Sequence, residues 1–241
     1  MAQLSAPPTS VAADVAKALR KIAASARELL YPFECIACGA TGAAAPVPGL
    51  CGACDAAMPR RDPARPPWLE AAGSAFDAHV VALALEPPAS GLVYQLKYGG
   101  SAAAAIPLAT LLEKTMRSLN LDQRLDCIVP VPAHWLKAWL RGIDHARALG
   151  EELARALRLP LKGAVARRRP TVAQGQARSA AERARQVAGA FAVRRRGAVA
   201  GRTIGLVDDV VTSGATAAEC ARVLRSAGAR AVILLAAAGN G

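Results

Sequence analysis

The stretch that decides the fold runs from Thr203 to Thr216 and reads Thr-Ile-Gly-Leu-Val-Asp-Asp-Val-Val-Thr-Ser-Gly-Ala-Thr. Its apolar start predicts a buried strand, and the hydroxyl-rich turn predicts the start of a helix. The first backbone N–H groups of a helix have no partner within the helix, which suits a phosphate. Asp208 and Asp209 precede the turn and can accept hydrogen bonds from two neighbouring hydroxyls. The stretch therefore predicts a ribose 5-phosphate site, with both carboxylates facing solvent at the strand end.

Two other interpretations of this stretch explain less of it. An apolar run ending in Asp-Asp also occurs in Walker B strands, but a P-loop enzyme needs G-x-x-x-x-G-K-[ST], and the chain contains no Gly-Lys dipeptide. A strand followed by Thr212 or Ser213 as a plain helix cap accounts for one hydroxyl. It gives the double acid and the other hydroxyls around Gly214 no role. The whole pattern resembles the 5-phosphoribosyl-1-diphosphate (PRPP) motif of type I phosphoribosyltransferases.

A second motif consists of two Cys-x-x-Cys pairs, Cys35/Cys38 and Cys51/Cys54, with twelve residues between them. Two such knuckles supply four sulfurs, the tetrahedral set that Zn²⁺ favours. The alternatives are two disulfides, which need an oxidising compartment, or a redox Cys-x-x-Cys, which usually occurs singly at a helix start. The segment between the pairs is too small to hold a core without a metal. We therefore predict one structural zinc ion with no open coordination position.

The composition suits one full domain plus a small appendage. Of the 241 residues, 53% are hydrophobic but only 4% are aromatic, so the core is predicted to consist of small side chains. Cys127 and Cys220 fall in apolar segments and are predicted core residues. No apolar run reaches the roughly 18–20 residues of a transmembrane helix, and residues 1–30 read as an amphipathic helix without signal-peptide character. These features favour a cytoplasmic location.

The formal net charge of +12 is concentrated in one segment. Between Leu153 and Arg202 there are 13 Lys and Arg residues and one acid, Glu182, and this difference (13 − 1 = 12) equals the whole net charge. Such a basic block attracts phosphates, either of a nucleotide or of a nucleic-acid backbone. The alternative is that these arginines only cover solvated faces. No aromatic residue interrupts the block before Phe191, so the block itself gives no support for base stacking.

The order of the motifs predicts an α/β fold with a parallel sheet, because strands and helices alternate along the chain. We predict a leading helix over 1–30, a zinc module over 31–60, a Pro-rich linker over 61–78 and a main domain over 79–241. Within the main domain, strands are predicted over 79–85, 126–132 and 231–236 besides the Asp-Asp strand, and helices over 106–119, 143–157, 180–187 and 217–227. Ligands of such folds bind at the carboxyl ends of the strands.

Taken together, the motifs resemble the ComF family of phosphoribosyltransferase-fold proteins, which is associated with natural competence and DNA uptake. The resemblance lies in the cysteine pairs, Leu96-Lys97-Tyr98-x-Gly100, Val129-Pro130-Val131-Pro132-x-His134, Arg141-Gly142 and the Asp-Asp motif. It departs from the family at Ile143, where an aromatic residue is usual. The register of Gln174 and Gln176 against the family pattern is also open.

The resemblance implies a type I phosphoribosyltransferase-like domain and a role for each residue of its site. Asp208 and Asp209 would bind the ribose hydroxyls, directly or through Mg²⁺, and Lys97 and Arg141 would neutralise the diphosphate. The loop around Val131 lies where the fold binds pyrophosphate. The 5-phosphate would be held by Thr212, Ser213, Gly214, Ala215 and Thr216.

Two hypotheses for function follow from these motifs. The first is an enzyme that transfers a phosphoribosyl group from PRPP to a nitrogen nucleophile that the sequence does not identify. The second is a non-catalytic module of the uptake machinery that binds single-stranded DNA or a competence helicase, with a nucleotide-sensing or vestigial pocket. The intact double acid favours retained ligand binding, whereas the basic block favours the second hypothesis.

Overall fold

The protein is built around a four-stranded parallel sheet. The computed structural model describes residues 13–16, 18–19, 33–42, 44–62, 75–133, 143–168 and 180–240. The strands of the sheet are β1 (Ala78–Ala84), β2 (Cys127–Pro130), β5 (Thr203–Val211) and β6 (Ala231–Gly239), in the order β1-β6-β5-β2. Two short strands, β3 (Val165–Arg167) and β4 (Phe191–Val193), form a separate antiparallel pair.

Six helices with assigned bounds accompany these strands in the described part of the chain. They are α1 (Gly52–Ala56), α2 (Ala89–Tyr98), α3 (Ala105–Ser118), α4 (His145–Leu157), α5 (Ala180–Val187) and α6 (Ala215–Ser226). The predicted fold class, a parallel-sheet α/β domain with a small four-cysteine module before it, is confirmed. The division into domains stays a prediction, since most of residues 1–32 and 63–74 lie outside the described residues.

Each face of the sheet has its own hydrophobic core. On one face, α2, α3 and α4 contribute buried leucines such as Leu96, Leu112 and Leu149. On the other face, α6 packs with the β3–β4 pair, and Cys220, Leu224 and Phe191 are buried there. Cys127 and Cys220 are both fully buried, as predicted. Because both faces are covered, the strands read as nearly continuous apolar runs.

Short segments pair with both outer strands of the sheet. Residues 59–61 lie antiparallel to β1, where Arg61 N donates to Ala82 O at 3.0 Å and Ala84 N donates to Pro59 O at 2.8 Å. On the opposite side, Ile128 N donates to Pro160 O at 3.0 Å. Both edges therefore have part of their backbone hydrogen bonds satisfied, which reduces their tendency to pair with another chain.

The cysteine module packs on the same face as α2 and α3. Its buried residues Val47, Leu50 and Met58 belong to one core cluster with Leu92 and Leu108 of those helices. The module is thus joined to the sheet twice, through this shared core and through the 59–61 segment that pairs with β1.

The middle of β5 has no room for a side chain at Gly205. A Cβ atom there would lie 2.8 Å from Leu235 Cδ1 and 2.9 Å from Ile128 Cδ1, the side-chain ends of the two neighbouring strands. These contacts are shorter than van der Waals distance, so the neighbouring side chains fill the space that a side chain at 205 would need. Glycine lets the central strand pass between two branched residues.

We expect Gly205→Val to lower the free energy of unfolding by about 2 kcal/mol, because extra methyl groups in a filled core force side chains off their rotamers. The measurement is urea denaturation followed by circular dichroism. The matched control is Gly197→Val, because a Cβ at Gly197 meets open space. Equal destabilisation by the two variants would contradict this account of β5.

Candidate functional site

Asp208 and Asp209 lie near the carboxyl end of β5 and leave the strand on opposite faces, because successive side chains of a strand alternate. Asp209 faces α2 and α4, where it meets Lys97 and His145. Asp208 faces the β3–β4 pair and α6, where its carboxylate interacts electrostatically with Arg167 and Cys220. The double acid thus connects the two faces of the sheet at the edge where such folds bind ligands.

Asp209 is the centre of the first group of contacts. Its Oδ2 lies 3.2 Å from Lys97 Nζ and 3.7 Å from His145 Nδ1, while its Oδ1 accepts a hydrogen bond from Val210 N at 2.8 Å. The residue is only 8% exposed, so the prediction that both carboxylates face solvent is wrong for Asp209. The physical reason is the ammonium group of Lys97, which supplies the countercharge that a buried carboxylate needs.

Asp208 has no such countercharge at contact distance among the described residues. Burial and the neighbouring Asp209 carboxylate raise its pKa well above the ordinary value of 3.8, and Lys97 opposes this only in part. Asp209 N donates to Asp208 Oδ1 at 3.0 Å. A hydroxyl donor or a divalent cation that reached Asp208 would favour its ionised form.

The turn after β5 leads into α6 through a glycine, whose backbone conformation at this position is one that only glycine adopts easily. Gly214 has φ +68° and stands at the N-cap position of α6, where no side chain of the described residues caps the helix. At α4 the arrangement is different, because Asp144 Oδ1 accepts a hydrogen bond from Arg147 N at 3.1 Å. No described side chain therefore caps the start of α6, whereas the start of α4 is capped by its own carboxylate.

Two residues beside the double acid, His145 and Arg167, could not be assigned to the site from the sequence pattern alone. His145, the first residue of α4, is 8% exposed, and its Nδ1 is directed at Asp209, so it faces the site and not solvent. Arg167 stacks 4.9 Å from the centre of the Phe191 ring, and its buried Nε has no acceptor among the described residues. Burial lowers the pKa of Arg167, and Asp208 opposes this change. The proximity of Arg167 to Asp208 depends on how the β3–β4 pair packs on the sheet, which the sequence pattern does not show.

The other predicted site residues have mixed positions. Lys97 reaches the site, and Thr212, Ser213, Ala215 and Thr216 lie around Gly214 at the start of α6. Val131 is buried, and its N–H donates to Val207 O at 2.8 Å, so this N–H extends the sheet. Arg141, His134, Gln174 and Gln176 lie outside the described residues.

The four cysteines of the two knuckles come together in one cluster. The sulfurs of Cys35, Cys38, Cys51 and Cys54 all lie within 4.8 Å of one another. In the first knuckle, Gly39 N donates to Cys35 O at 2.7 Å, and the positive φ of Gly39, +73°, turns the chain back. This donor set and its closeness suit a tetrahedral zinc ion and suggest a structural zinc site.

The protonation of the cysteines favours a cation between them. Burial alone would raise the pKa of Cys35, but backbone N–H donors, including Cys51 N at 3.3 Å, outweigh it and lower the pKa to about 6. Burial and the other three sulfurs raise the pKa of Cys54 above its ordinary value of 9.0. Four thiolates therefore cannot coexist without a positive charge among them, and Zn²⁺ would supply it.

Comparison with known proteins finds relatives that are similar to this chain in sequence. Over 151 residues the chain is 39% identical to the DNA utilization protein YhgH of Escherichia coli (strain K12). This match covers 61% of this chain and 65% of the relative. Over 146 residues it is 32% identical to Competence protein F of Haemophilus influenzae (strain ATCC 51907 / DSM 11121 / KW20 / Rd). This second match covers 58% of this chain and 63% of the relative. These relatives confirm the resemblance to the ComF family. The matched segment spans slightly less than two thirds of the length of either relative.

Other comparisons add little to this result. No protein-family model matches the chain. A solved structure of the allosteric regulatory enzyme of purine biosynthesis matches 60% of this chain and 30% of its own with a TM-score of 0.40 and 20% identity, which is too distant to support an assignment. Within the residues that the structure describes, no helix is long and apolar enough to cross a membrane.

We expect one zinc ion per chain in protein purified under reducing conditions, because the four sulfurs form a complete ligand set. Elemental analysis measures the metal, and Cys51→Ser should lose most of it. Cys220→Ala is the matched control, since Cys220 is buried in the core far along the sequence from the cluster. Wild-type protein without zinc, or equal zinc loss in both variants, would disprove the assignment.

We further expect Asp208→Asn to raise the melting temperature near neutral pH. Because the folded-state pKa of Asp208 is raised, the folded protein favours the neutral carboxyl. The neutral Asp208 carboxyl stabilises the folded state relative to the ionised form. This stabilisation is complete below the unfolded-state pKa of Asp208 and is lost as the pH rises through its folded-state pKa. The stability difference between the variant and wild type should therefore grow with pH, which thermal denaturation across a pH series measures.

Lys97→Met should have the opposite effect, with a loss of about 1–3 kcal/mol, because it leaves the Asp209 carboxylate buried without its cation. Adding Asp209→Asn to Lys97→Met should recover part of that loss. If the double variant is no more stable than Lys97→Met alone, the ion pair does not explain the burial of Asp209.

Proposed function

We propose that the chain is a ComF-like protein of the phosphoribosyltransferase fold that binds PRPP or a related ribose 5-phosphate ligand and serves natural competence or DNA uptake. The observation that carries this proposal is the juxtaposition of a double acid with a helix start that no side chain caps, at Asp208, Asp209 and Gly214 in the described residues. Names of the relatives support the link to competence and DNA use, since they are a competence protein and a DNA utilization protein.

The phosphate would bind at the start of α6. Backbone N–H groups of the first helical turn and the positive end of the helix dipole both favour an anion there. Thr212 is exposed and Ser213 partly so, and their hydroxyls are placed to add hydrogen bonds. Gly214 keeps this turn tight and leaves room for a phosphate to approach the backbone.

The ribose hydroxyls would bind at the acids, which precede the phosphate turn by a few residues. Asp208 is the acceptor whose raised pKa would fall on binding, because each hydroxyl donor or cation favours its ionised form. Lys97 and His145 hold Asp209 in place from the opposite face. Mg²⁺, when it accompanies a diphosphate ligand, would be bound mainly by ligand oxygens and water and would neutralise charge.

Phosphoribosyl transfer is the reaction that such a site could support. The bond between ribose C1 and the diphosphate oxygen would break as a nitrogen nucleophile bonds to C1, and the diphosphate would leave with the bonding electrons. The site would contribute electrostatic stabilisation of the leaving group and alignment of the two reactants. Arg167 on one face and Lys97 on the other are the cations that the fold brings beside the acids.

The test is a calorimetric titration of the protein with PRPP and Mg²⁺, followed by a screen for pyrophosphate release with candidate bases. Asp208→Asn combined with Asp209→Asn should abolish binding, because the hydroxyl acceptors lose their charge. The matched control is Glu113→Gln combined with Asp122→Asn, which removes two carboxylates that pair with Arg117 on α3 and its following turn. Unchanged PRPP binding by the first double variant would refute the ribose assignment.

A second candidate function is a module that binds single-stranded DNA or docks on a helicase-type partner. The observation that favours it is the exposed run of Arg194, Arg195 and Arg196, which forms no ion pair among the described residues. In the β3–β4 pair, Val165 lies opposite Val193 and Arg167 lies opposite Phe191, so this run is at the end of the pair away from Arg167. Within the basic block, Arg167 and the run that starts at Arg194 are therefore at opposite ends of the β3–β4 pair.

This division lets DNA binding be tested separately from ligand binding. Neutralising Arg194, Arg195 and Arg196 to Gln should weaken single-stranded DNA binding similarly on every sequence while PRPP binding stays intact, because the contacts are with phosphates. Neutralising Arg167, Arg168 and Arg169 removes the same charge and should weaken PRPP binding first. Fluorescence anisotropy between about 50 and 200 mM salt measures the DNA affinity, which should fall steeply. Affinity that is absent at low salt, or insensitive to salt, would contradict the DNA-binding form of this second function and leave only docking on a protein partner.

A further inference from the structure

A cavity of about 200 Å³ lies between β1 and the second half of α3. Its lining residues include Arg60 from the segment that pairs with β1, Leu83 of β1, and Leu111, Lys114, Thr115 and Ser118 of α3. We call it the β1–α3 groove. In the sheet, β1 is an outer strand, and β6 separates it from β5, which carries the double acid. The groove is therefore distinct from the site described above.

The floor of the groove is apolar and its rim is polar. Leu83 and Leu111 are 1% and 3% exposed, whereas Lys114 and Ser118 lie at the surface. The hydroxyls at the rim already donate to the backbone, from Thr115 Oγ1 to Leu111 O at 3.0 Å and from Ser118 Oγ to Thr115 O at 2.8 Å. The charged residues of the rim are therefore the groups that can select a ligand.

The rim carries one positive charge without a counter-ion in the described part of the chain. Arg60 is paired, since its Nη2 lies 2.6 Å from Asp55 Oδ1 and its Nη1 donates to Asp55 O at 2.9 Å. Lys114 forms no ion pair among the described residues, and the carboxylate of its chain neighbour Glu113 is bound by Arg117 Nε at 2.8 Å. No acidic side chain of the described residues lines the groove, so Lys114 is available to an incoming carboxylate.

The volume of the groove decides between two kinds of ligand. Pockets that enclose a whole small molecule have volumes of about 300–1,000 Å³, which exceeds that of this groove. A volume of about 200 Å³ suits a single large aliphatic side chain. At protein interfaces such side chains fill small pockets and act as anchors, while charged residues at the rim fix the orientation. The size therefore favours one side chain of a larger partner over a free metabolite.

We propose that the β1–α3 groove is a docking site for a partner protein with an acidic segment. One aliphatic side chain of that segment, such as leucine, fills the apolar floor, and a carboxylate beside it binds Lys114. Charge complementarity favours an acidic segment, because the whole chain also has a formal net charge of +12. Arg60 lies between the cysteine module and β1, so the docked segment contacts both parts of the protein. This docking does not depend on the ribose-phosphate site.

The experiment uses synthetic peptides as probes of the groove. Fluorescence anisotropy gives the affinity for labelled acetyl-Asp-Glu-Leu-Glu-Asp-amide and for the same peptide with serine in place of leucine. The basic block attracts any acidic peptide, so the difference between the two peptides reports on the groove. Wild-type protein should bind the leucine peptide about tenfold more tightly, because the floor removes the leucine side chain from water.

Two variants test the rim and the floor separately. Lys114→Gln should weaken binding of the leucine peptide about two- to fivefold, the range of an exposed ion pair. Its matched control is Arg124→Gln, since Arg124 is also exposed but does not line the groove. Ser118→Trp fills the groove from its rim and should reduce the affinity to that of the serine peptide, whereas Gln123→Trp, at an exposed position outside the groove, should not. Unchanged melting temperatures establish that these surface variants fold.

Equal affinity of the wild type for the two peptides would overturn the proposal, as would Lys114→Gln or Ser118→Trp behaving like its control. Displacement of the leucine peptide by an equal concentration of hexanoate would assign the groove to a free carboxylic acid and contradict protein docking. The chain's own segment 63–74 contains Trp68 and Glu70. A gain in peptide affinity in Trp68→Ala would assign the groove to that segment and likewise contradict docking of a partner.

Discussion

Two adjacent carboxylates at the end of a buried strand repel each other, and the rest of the site is arranged around that repulsion. The alternation of β5 sends Asp208 and Asp209 to opposite faces, and Lys97 neutralises only the second. One acid is thus held in a fixed ion pair, while the other has its pKa raised by burial and by its neighbour. Such a pair has one rigid member that positions the site and one that gains most from an incoming donor or cation.

The elements around the sheet place the partners of these acids. The packing of α2 and α4 on one face brings Lys97 and His145 to Asp209, and the β3–β4 pair brings Arg167 toward Asp208 from the other. The cysteine module shares its core with α2 through Leu50 and Leu92. A zinc ion in that module would therefore stabilise the helix that carries Lys97, although the metal itself has no open position for chemistry.

The sequence allowed the local features to be predicted, because they depend on neighbouring residues. The strand, acids and helix start between Thr203 and Thr216 follow from one continuous pattern, and the cysteine cluster follows from spacing alone. Contacts between distant segments could not be predicted in the same way. The burial of Asp209 depends on Lys97, more than a hundred residues earlier, and the role of Arg167 depends on how a three-residue strand packs.

Helix α2 is a second feature that the hydrophobic periodicity of the sequence does not predict. Its leucines Leu92 and Leu96 have helical spacing, but the Pro-Pro before them and the Gly-Gly after them leave only ten helical residues. Short apolar segments of this kind do not distinguish a helix from a strand by periodicity. As a result, the pattern did not predict that Tyr94 and Tyr98 share one helix side.

The central claim is that a ribose 5-phosphate binds across the end of β5 and the start of α6. A crystal structure of the protein with PRPP and Mg²⁺ tests it most directly. We expect the 5-phosphate over the backbone N–H groups that follow Gly214, with the ribose hydroxyls on Asp208 or Asp209. A phosphate bound instead at Arg194, Arg195 and Arg196, with the acids untouched, would contradict it.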